Sequence, residues 1–368
     1  KFNNMKLAQI IQALESLAPQ TLQESYDNSG LLLGNQEMEV SGALICLDSI
    51  EEVINEAISK KCNLVIAHHP IVFKGLKSLT GKNYIERSLL KAIKNDIAIY
   101  AIHTNLDNVQ QGVNAKIGQL LGINNPQILQ PKNQILEKLV TYCPVDHLEA
   151  VRDGLFAAGA GTIGNYSECS FDSIGTGTFT PNENTKPFVG IHNQRHHEKE
   201  HKIEVIFENY NRFKVLAKLN EFHPYESVAY ELYSTLNEHP NIGSGMYGEL
   251  EQGLEMNAFF DLLKQQFKLK IIRHTTGAKS AVKKIAWCGG SGGFLLEKAK
   301  AVKADVFITG DFKYHEFFDH ENSLVIADIG HYESEQFTID LLGHFLKEKF
   351  PKFAVHLTEI NTNPVNYY

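Results

Sequence analysis

Short apolar runs that end in polar clusters alternate with helical patterns in both outer thirds of this chain. A run over 64–67 leads directly into His68 and His69, and a run over 97–102 ends at His103. The last third repeats this order of elements. Short all-apolar strands separated by helices are typical of βα units in a mainly parallel sheet, so the sequence predicts an α/β fold.

Helical patterns connect these runs. Apolar residues recur at helical spacing over 5–17, 51–60, 84–95, 113–121, 256–267 and about 333–349. Further buried strands are predicted over 42–48, 284–288, 306–309 and 324–327. We therefore expect residues 1–126 and 246–368 to be the two halves of one split α/β core with a mainly parallel sheet.

The middle of the chain, residues 127–245, has more Gly, Asn and Thr and longer alternating strands. Its predicted elements are a strand over 139–143, a helix over 147–158, hairpin strands around 171–179, a strand over 202–207, a helix over 210–220 and a strand over 228–233. That β-α-β-β-α-β order is typical of a ferredoxin-like α+β unit. We therefore predict a ferredoxin-like insert between the two halves of the core.

Composition restricts the class of protein. A chain of 368 residues exceeds one ordinary core, so two or three compact units are expected. The net charge of −8 argues against nonspecific nucleic-acid binding, and no apolar run reaches the ~20 residues of a membrane span. The five scattered cysteines, never spaced as CxxC, and a polar start without a signal-peptide pattern predict a cytoplasmic protein.

Side chains that bind metals follow several predicted strands. In an open α/β sheet, ligands bind beyond the carboxyl ends of the strands, where the clusters at 68–69, 103–107, 310–315 and 328–335 lie. Imidazoles and carboxylates without nearby thiolates suit zinc, iron or manganese. These strand ends are therefore the candidate metal site.

His68 and His69 directly follow the strand over 64–67, and Pro70 comes next. Successive strand residues point to opposite sides, so each imidazole could serve a different metal ion. Two hydrogen-bonded loop histidines are the alternative for this pair taken alone.

His331 and Glu335 are four residues apart at the start of a predicted helix. At that spacing both lie on one helix face, where they can bind the same ion, and the carboxylate can also bridge two ions. A helix-start histidine beside an exposed glutamate is the alternative.

The segment after the strand over 97–102 supplies two more candidates. Asp107 could bridge two cations or cap the helix that follows. His103 could bind metal, support a ligand or shuttle a proton, and His315 is a second candidate for the shuttle. Taken together, the strand-end clusters predict a two-metal site with cations ~3.5–4 Å apart, a spacing that activates water.

Other polar segments allow more than one interpretation. The glycines at 289–293 could cradle an anion with backbone amides or form a tight turn. Asp27 could belong to a simple turn or to the metal site, and the segment 223–226 could be a turn or face a pocket. A solvated loop is predicted for His192, His196, His197 and His201.

Five stretches of the outer segments resemble the Nif-three-like family, whose members carry the names GTP cyclohydrolase 1 type 2 homologue and dinuclear-metal-centre hexameric protein. These stretches are 26–31 (YDNSGL), 67–75 (AHHPIVFKG), 103–107 (HTNLD), 309–311 (TGD) and 330–335 (GHYESE). The insert resembles the PII-like or CutA-like domain of the longer bacterial members, including its segments 138–144 and 223–226. One departure is Tyr314 before His315, where relatives often carry two histidines.

The resemblance implies the following ligand set and assembly. Two divalent metal ions per subunit would be bound by His68, His69, Asp107, His331 and Glu335. The subunits would form a toroidal homohexamer with its sites facing an internal cavity, and the inserted domains would cap the openings. The family name suggests ring opening of GTP with release of formate.

Two functions are consistent with these features. The first is a metal-dependent hydrolase of a nucleotide-like substrate, in which His103 or His315 shuttles the proton. The second is a non-catalytic metal-binding or regulatory hexamer that senses a small ligand through its inserted domain. Turnover of a nucleotide by the metal-loaded protein would separate the two.

Overall fold

The computed structural model describes residues 4–277 and 280–368, so Lys1 to Asn3 of the polar start lie outside the described residues. The strands, in chain order, are β1 (Met5–Lys6), β2 (Gly30–Leu33), β3 (Glu39–Val40), β4 (Ala43–Cys46), β5 (Leu64–Ala67), β6 (Ala98–Ala101), β7 (Gln127–Pro131), β8 (Leu136–Pro144), β9 (Ser170–Phe179), β10 (His196–Glu208), β11 (Tyr230–Ser234), β12 (Gly243–Glu255), β13 (Arg273–His274), β14 (Ala281–Ser291), β15 (Val306–Gly310), β16 (Val325–Asp328) and β17 (Val355–Leu357).

The α-helices are α1 (Leu7–Leu17), α2 (Glu51–Ser59), α3 (Tyr84–Lys94), α4 (Thr104–Asp107), α5 (Val113–Leu120), α6 (Leu148–Ala157), α7 (Arg212–Phe222), α8 (Met256–Phe267), α9 (Leu296–Ala301), α10 (His331–Glu335) and α11 (Thr338–Lys349). Short 3₁₀ helices cover Gln20–Leu22, Val145–His147, Asn209–Asn211, Gly293–Leu295 and Tyr314–His320. No helix of the described ranges combines the length and the apolar character that crossing a bilayer requires.

The described chain divides into two compact units. The first unit joins Lys1–Pro131 with Pro240–Tyr368, and the second is Lys132–His239. Both are mixed α/β structures, as the alternation of strands and helices predicts.

The first unit contains a five-stranded sheet in the order β17-β4-β5-β6-β2. Strands β17, β4, β5 and β6 are parallel, and only β2 at the edge is antiparallel. Every residue of β4, β5 and β6 is buried, which explains why these strands are apolar runs in the sequence. Helices α2 and α3 pack on this sheet through a core that includes Val53, Ile54 and Leu89.

A six-stranded sheet in the order β13-β16-β15-β14-β12-β7 completes the first unit, beside the small pair β1-β3. Its strands β14, β15 and β16 are parallel, whereas β13, β12 and β7 run antiparallel to their neighbours. The expectation of one mainly parallel sheet in the core is therefore wrong. The local pattern identifies a strand but not its sheet, because strand partners are chosen by tertiary packing.

One long helix predicted near 333–349 is two helices, α10 and α11. Helix α10 begins immediately after Gly330, whose φ of 93° lies in the left-handed region. Residue 336 follows α10, and α11 begins at Thr338. The interruption leaves α10 as a short, separate segment that carries His331 and Glu335.

The second unit is one antiparallel sheet in the order β11-β8-β10-β9. Helix α6 connects β8 to β9, and α7 connects β10 to β11, so the elements follow one another as β-α-β-β-α-β. Both helices pack on one face of the sheet, around Leu155, Ile203, Phe207 and Leu219. The predicted solvated loop is wrong for His196, His197 and His201, which lie on β10, because the strand continues at its start through polar residues.

Candidate metal centre

The first unit positions His68 and His69 by extending its parallel pairing beyond the end of β5. The backbone N–H of His68 donates to the carbonyl of Cys46 (3.1 Å), and that of His69 donates to the carbonyl of Leu47 (2.9 Å). Pro70, which has no N–H, follows at once. Both imidazoles therefore stand on a rigid extension of the sheet.

Hydrogen bonds orient the two rings. Nδ1 of His68 is 2.8 Å from the carbonyl oxygen of Ile102, and Nδ1 of His69 is 2.8 Å from Oδ1 of Asp48. Nδ1–H donates to each of these acceptors, which leaves the Nε2 lone pair free for a metal. Asp48 is itself held by the hydroxyl of Thr362 at 2.5 Å.

His331 and His103 follow the same rule. Nδ1 of His331 is 2.7 Å from Oδ2 of Asp311, and Nδ1 of His103 is 2.8 Å from Oδ1 of Asp27. Asp311 adopts φ 60°, a left-handed conformation that is uncommon for an aspartate. Each of these imidazoles is thus oriented through Nδ1 by a carboxylate.

Glu335 lies between the imidazoles of distant segments and is only 3% exposed. Its Oε2 is 2.9 Å from Nε2 of His69 and 3.1 Å from Nε2 of His331, while its Oε1 is 3.7 Å from Nε2 of His68. The two carboxylate oxygens therefore face different histidines. That arrangement matches a carboxylate that is shared by two ions.

Gly290 makes room for this carboxylate. A Cβ at that position would lie 2.3 Å from Oε1 of Glu335, and φ at Gly290 is +63°. A side chain is therefore excluded by both space and backbone conformation.

Two buried atoms at the centre have no hydrogen-bond partner among the described residues. They are Nε2 of His68 and Oδ1 of Asp107, which lie 3.7 Å apart. Buried polar atoms are normally paired, because an unpaired one loses the hydrogen bonds that it makes in water. A nitrogen lone pair and a carboxylate oxygen that face one another at this distance fit a cation between them, so the donor set fits the predicted metal.

The potential ligand atoms form three overlapping groups, each with all its atoms within 4.8 Å. The groups are His68, Asp107 and Glu335; His69, His331 and Glu335; and His68, His69 and His103. The first two together contain all five predicted metal ligands. Imidazole and carboxylate donors of this kind suit first-row transition metals.

The two carboxyl groups have opposite pKa shifts. Burial, together with the charge of Glu335, raises the pKa of Asp107 to about 7. Burial alone would raise the pKa of Glu335 as well, but its contacts with His331, His68 and His69 outweigh burial and hold that pKa well below the usual range. The centre therefore concentrates negative charge on Glu335 between basic rings.

The imidazoles respond to the same charges. Burial favours neutral His69, but hydrogen bonds with Asp48 and Glu335 outweigh it and raise the pKa to about 9. In the same way, Asp311 and Glu335 overcome burial and raise the pKa of His331 to about 11. Protons and divalent cations compete for these nitrogen atoms, so metal binding releases protons.

A cavity of about 990 Å³ within the first unit opens onto the centre. Its lining includes His69, His103, Asp107, His331 and Glu335. Exposed aromatic rings line it further out, namely Tyr26, Phe73, Tyr84 and Phe294. The centre is thus accessible to a ligand of the size of a small molecule.

Several alternatives are decided by these contacts. Asp107 does not cap the next helix, since Gly112 occupies the N-cap of α5. Three glycine amides of 289–293 already have acceptors within the protein: Gly289 N–H donates to Oδ1 of Asn114, Gly290 N–H to Oγ of Ser334 and Gly292 N–H to Oγ1 of Thr309. His315 is exposed against Tyr314 and belongs to none of the three groups.

The sequence interpretation missed the acceptors that orient the rings. Asp48 and Asp311 follow β4 and β15, but the sequence assigns neither of them a role in orienting a histidine, and it leaves two roles open for Asp27. In the structure Asp27 also accepts hydrogen bonds from the backbone N–H and the hydroxyl of Thr104. Burial would raise the pKa of Asp27, but its contacts with His103 and Thr104 outweigh burial and lower that pKa. For Asp48 and Asp311 the available signal was an aspartate at the end of an apolar run, whereas Asp27 precedes β2 and had no such signal.

A buried cluster of imidazoles and carboxylates at the ends of parallel strands defines a candidate metal-binding α/β protein. The family described as Duf34/NIF3 (NGG1p interacting factor 3) matches residues 5–364, and the chain belongs to that family. The family resemblance stated from the sequence is therefore confirmed.

Similar proteins span the whole chain. The GTP cyclohydrolase 1 type 2 homolog of Halalkalibacterium halodurans is 37% identical over 371 residues, which cover 99% of this chain and 100% of that protein. The homolog of the same name from Bacillus subtilis is 35% identical over 365 residues, 98% of each. A solved structure, the Bacillus cereus protein related to NIF3, has a TM-score of 0.86 and 36% identity and covers 100% of both chains.

Proposed function

We propose that the protein is a metal-dependent hydrolase of a nucleotide-like substrate. The observation that carries the proposal is the placement of Glu335, one of whose oxygens faces His69 and His331 while the other faces His68. Two divalent cations, of zinc, iron or manganese, would be held by His68, His69, Asp107, His331 and Glu335. Such cations supply Lewis-acid chemistry and make water more acidic.

His103 is the residue that we assign to proton transfer. Its Nδ1 is held by Asp27, so Nε2 is the nitrogen available to accept and return a proton. Its ring lies 5.3 Å from that of His68 and 5.4 Å from that of His69, centroid to centroid, and it lines the cavity. His315, the other predicted shuttle, is exposed and does not line this cavity.

Aromatic rings in the cavity favour a flat heterocyclic substrate. Phe73 is 44% exposed and stacks on Tyr26 with 6.5 Å between ring centroids. Nucleobases stack on such rings because each has a flat π-face. The names of the relatives add a specific possibility, the hydrolytic ring opening of GTP with release of formate.

The test is turnover by the metal-reconstituted protein. We expect formate release from GTP, or hydrolysis of another member of a nucleotide panel, with at least one of the three metals. His103→Asn should lower kcat about 100- to 10,000-fold while elemental analysis finds unchanged metal. The absence of turnover with every metal and nucleotide would overturn the proposal.

His315→Asn is the matched control, because it removes an exposed imidazole of the same unit. We expect its kcat to equal that of the unmodified protein. If His315→Asn abolished turnover and His103→Asn did not, the proton transfer would belong to His315. If His103→Asn lost its metal, His103 would be a ligand, as its proximity to His68 and His69 allows.

A regulatory role without turnover is the second candidate. It is favoured by a separate cavity of about 640 Å³ within the second unit, which offers a place for a small ligand. In that case the metal-loaded protein would bind its ligand through this unit and would hydrolyse none of the nucleotides.

We also propose that the second unit is a ferredoxin-like, PII-like or CutA-like insert in a split α/β core, and that the protein is a cytoplasmic, toroidal homohexamer. The β-α-β-β-α-β order and the strand order β11-β8-β10-β9 support the first proposal. The second proposal is what the family resemblance of the sequence implies. Light scattering coupled to gel filtration should give six times the mass of one chain.

A further inference from the structure

The cavity of the second unit contains a buried acidic side chain without a cationic partner. Glu200 on β10 is 8% exposed and lines the cavity. Its Oε1 accepts a hydrogen bond from the hydroxyl of Tyr225 at 2.8 Å. None of the described residues donates to its Oε2 or forms a salt bridge with it. This oxygen is therefore available in the cavity to accept a hydrogen bond from a ligand.

The nearest basic side chain in the lining is already paired elsewhere. Nζ of Lys202 lies 3.0 Å from Oε1 of Glu204, and Nζ of Lys138 lies 2.9 Å from the same oxygen. Lys202 therefore has an acidic partner other than Glu200. The lining also includes Glu226, so the cavity carries more negative than positive charge.

A glycine on the neighbouring strand makes room for the carboxylate itself, and a second glycine leaves open space beside it. A Cβ at Gly177 would lie 2.1 Å from Oε2 of Glu200, and a Cβ at Gly175 would meet no atom within 4 Å. Both glycines belong to β9, which pairs with β10. Glycine in a strand interior weakens the strand and often marks a place where a ligand approaches closely.

Aromatic rings surround this space. Phe179, Phe188, Tyr142 and Tyr225 all line the cavity, and the ring centroid of Tyr225 is 5.9 Å from that of Phe179 and 6.3 Å from that of Phe188. The negative faces of aromatic rings attract cations, most strongly where water is excluded. A carboxylate and several aromatic rings around one cavity therefore favour a ligand that carries a positive charge on an apolar group.

We propose that this cavity binds a small organic ammonium ion, whose N–H groups donate to Oε2 of Glu200 while its apolar part packs among the rings. This site is independent of the metal centre, and the hydrolase proposal does not depend on it. The chemistry defines a primary amine with a hydrocarbon or aromatic body.

Calorimetric titration of the full-length protein with three probes of one shape tests the proposal. The probes are phenethylammonium, the neutral 2-phenylethanol and the anionic phenylacetate. We expect only phenethylammonium to bind, at one site per chain. Equal binding of the alcohol would show an unselective apolar cavity, and preferred binding of phenylacetate would assign the site to Lys202. Either result, or no binding of any probe, would overturn the proposal.

Variants locate the site. Glu200→Gln keeps the size of the side chain and can still accept the Tyr225 hydrogen bond, but it should bind phenethylammonium about tenfold more weakly or not at all. Gly177→Ala should also lose binding, because its Cβ would displace the carboxylate, while its backbone is not in the left-handed region. Phe188→Leu, at a residue 52% exposed, tests the rings with little effect on folding.

Glu198→Gln is the matched control. Glu198 precedes Glu200 by two residues on β10, pairs with His196 at 2.7 Å and does not line the cavity. It should bind phenethylammonium as the unmodified protein does. If this control and Glu200→Gln both lost binding, the substitutions would have disturbed the whole sheet. If Glu200→Gln, Gly177→Ala and Phe188→Leu all bound phenethylammonium as the unmodified protein does, the assignment of the ligand to this cavity would be overturned.

Discussion

Two glutamates of this chain, Glu335 in the first unit and Glu200 in the second, are 3% and 8% exposed but have different surroundings. Glu335 faces three imidazoles that are themselves oriented by hydrogen bonds, whereas Glu200 has one tyrosine hydroxyl and a ring-lined hollow. Rigid nitrogen donors suit an inorganic cation, and soft aromatic faces suit an organic one. The partners of a buried carboxylate therefore indicate which cation it binds.

Glu86 provides the reference case of a carboxylate whose role is structural. Its Oε2 accepts hydrogen bonds from the N–H groups of Thr80, Gly81 and Lys82 and from the hydroxyl of Thr80, at 2.7 to 3.3 Å. These donors belong to the loop that precedes α3 and leave no place for a ligand. Burial of a glutamate alone thus identifies no site.

The largest effect is expected from Glu335→Gln. The amide removes the negative charge that both groups share, so we expect the protein to lose metal affinity about 100-fold or more. Elemental analysis after dialysis measures the effect. Glu333→Gln, two residues away on α10 and bound to Asn363, is the control that should retain its metal. If Glu335→Gln kept its full metal content, Glu335 would not be needed for metal binding, and the contrast between Glu335 and Glu200 would fail.

A smaller loss is expected from Asp48→Asn. This change weakens the hydrogen bond that orients His69, and such supporting residues typically contribute about 10- to 100-fold in metal affinity. Competition with a chelator of known affinity measures the change. If the affinity is unchanged, the orientation of His69 is set by the sheet alone.

Removal of metal should destabilise the first unit. A ligand that binds only the folded state contributes about 3–4 kcal/mol when its free concentration is about 100 to 1,000 times Kd. Calorimetry should therefore show a Tm several degrees lower after chelation, and readdition of metal should restore it. Glu335→Gln should show little response to the chelator, and an equal response in that variant would place the bound metal elsewhere.

Glu86→Gln should show a pH-dependent loss of stability. Hydrogen bonds from the backbone of Thr80 and its neighbours outweigh burial and lower the pKa of Glu86 from 4.5 to about 2. Because the folded-state pKa is lower than the unfolded one, the carboxylate contributes stability fully above pH 4.5 and loses it as the pH falls toward 2. With metal removed from both proteins, the difference in Tm between Glu86→Gln and the unmodified protein should shrink over that pH range. A constant difference would contradict this prediction.

The smallest effect is expected from Glu200→Gln without ligand. Since no described residue forms a salt bridge with Glu200, removal of its charge breaks no ion pair, and the amide oxygen of the glutamine can still accept the hydrogen bond from Tyr225. Thermal denaturation should show a Tm equal to or slightly above that of the unmodified protein. A strong destabilisation would show that Glu200 is structural, like Glu86.

Much of the fold could be predicted because its local signals are strong. The buried runs of β5 and β15 and the helical spacing of α2 and α8 appear in the sequence within a few residues of their observed bounds. Strands β2, β12 and β13 were not predicted. Strand β2 is an apolar run of only four residues, β13 is two exposed polar residues, and β12 has neither a continuous apolar run nor a strict alternation.

The sequence by itself determined which side chains stand at strand ends, because a strand that is buried on both faces must be apolar and its polar end is then conspicuous. The residues at 68–69, 103–107 and 331–335 were found in this way. Only the tertiary structure decided how their atoms face one another, since His69 and Glu335 are separated by 266 residues and meet only through the packing of different strands. The same holds for Glu200, whose carboxylate has room only because a glycine of the neighbouring strand lies against it. Spacing along a chain carries no information on contacts across a fold, and those contacts set the charge and the space that a site offers.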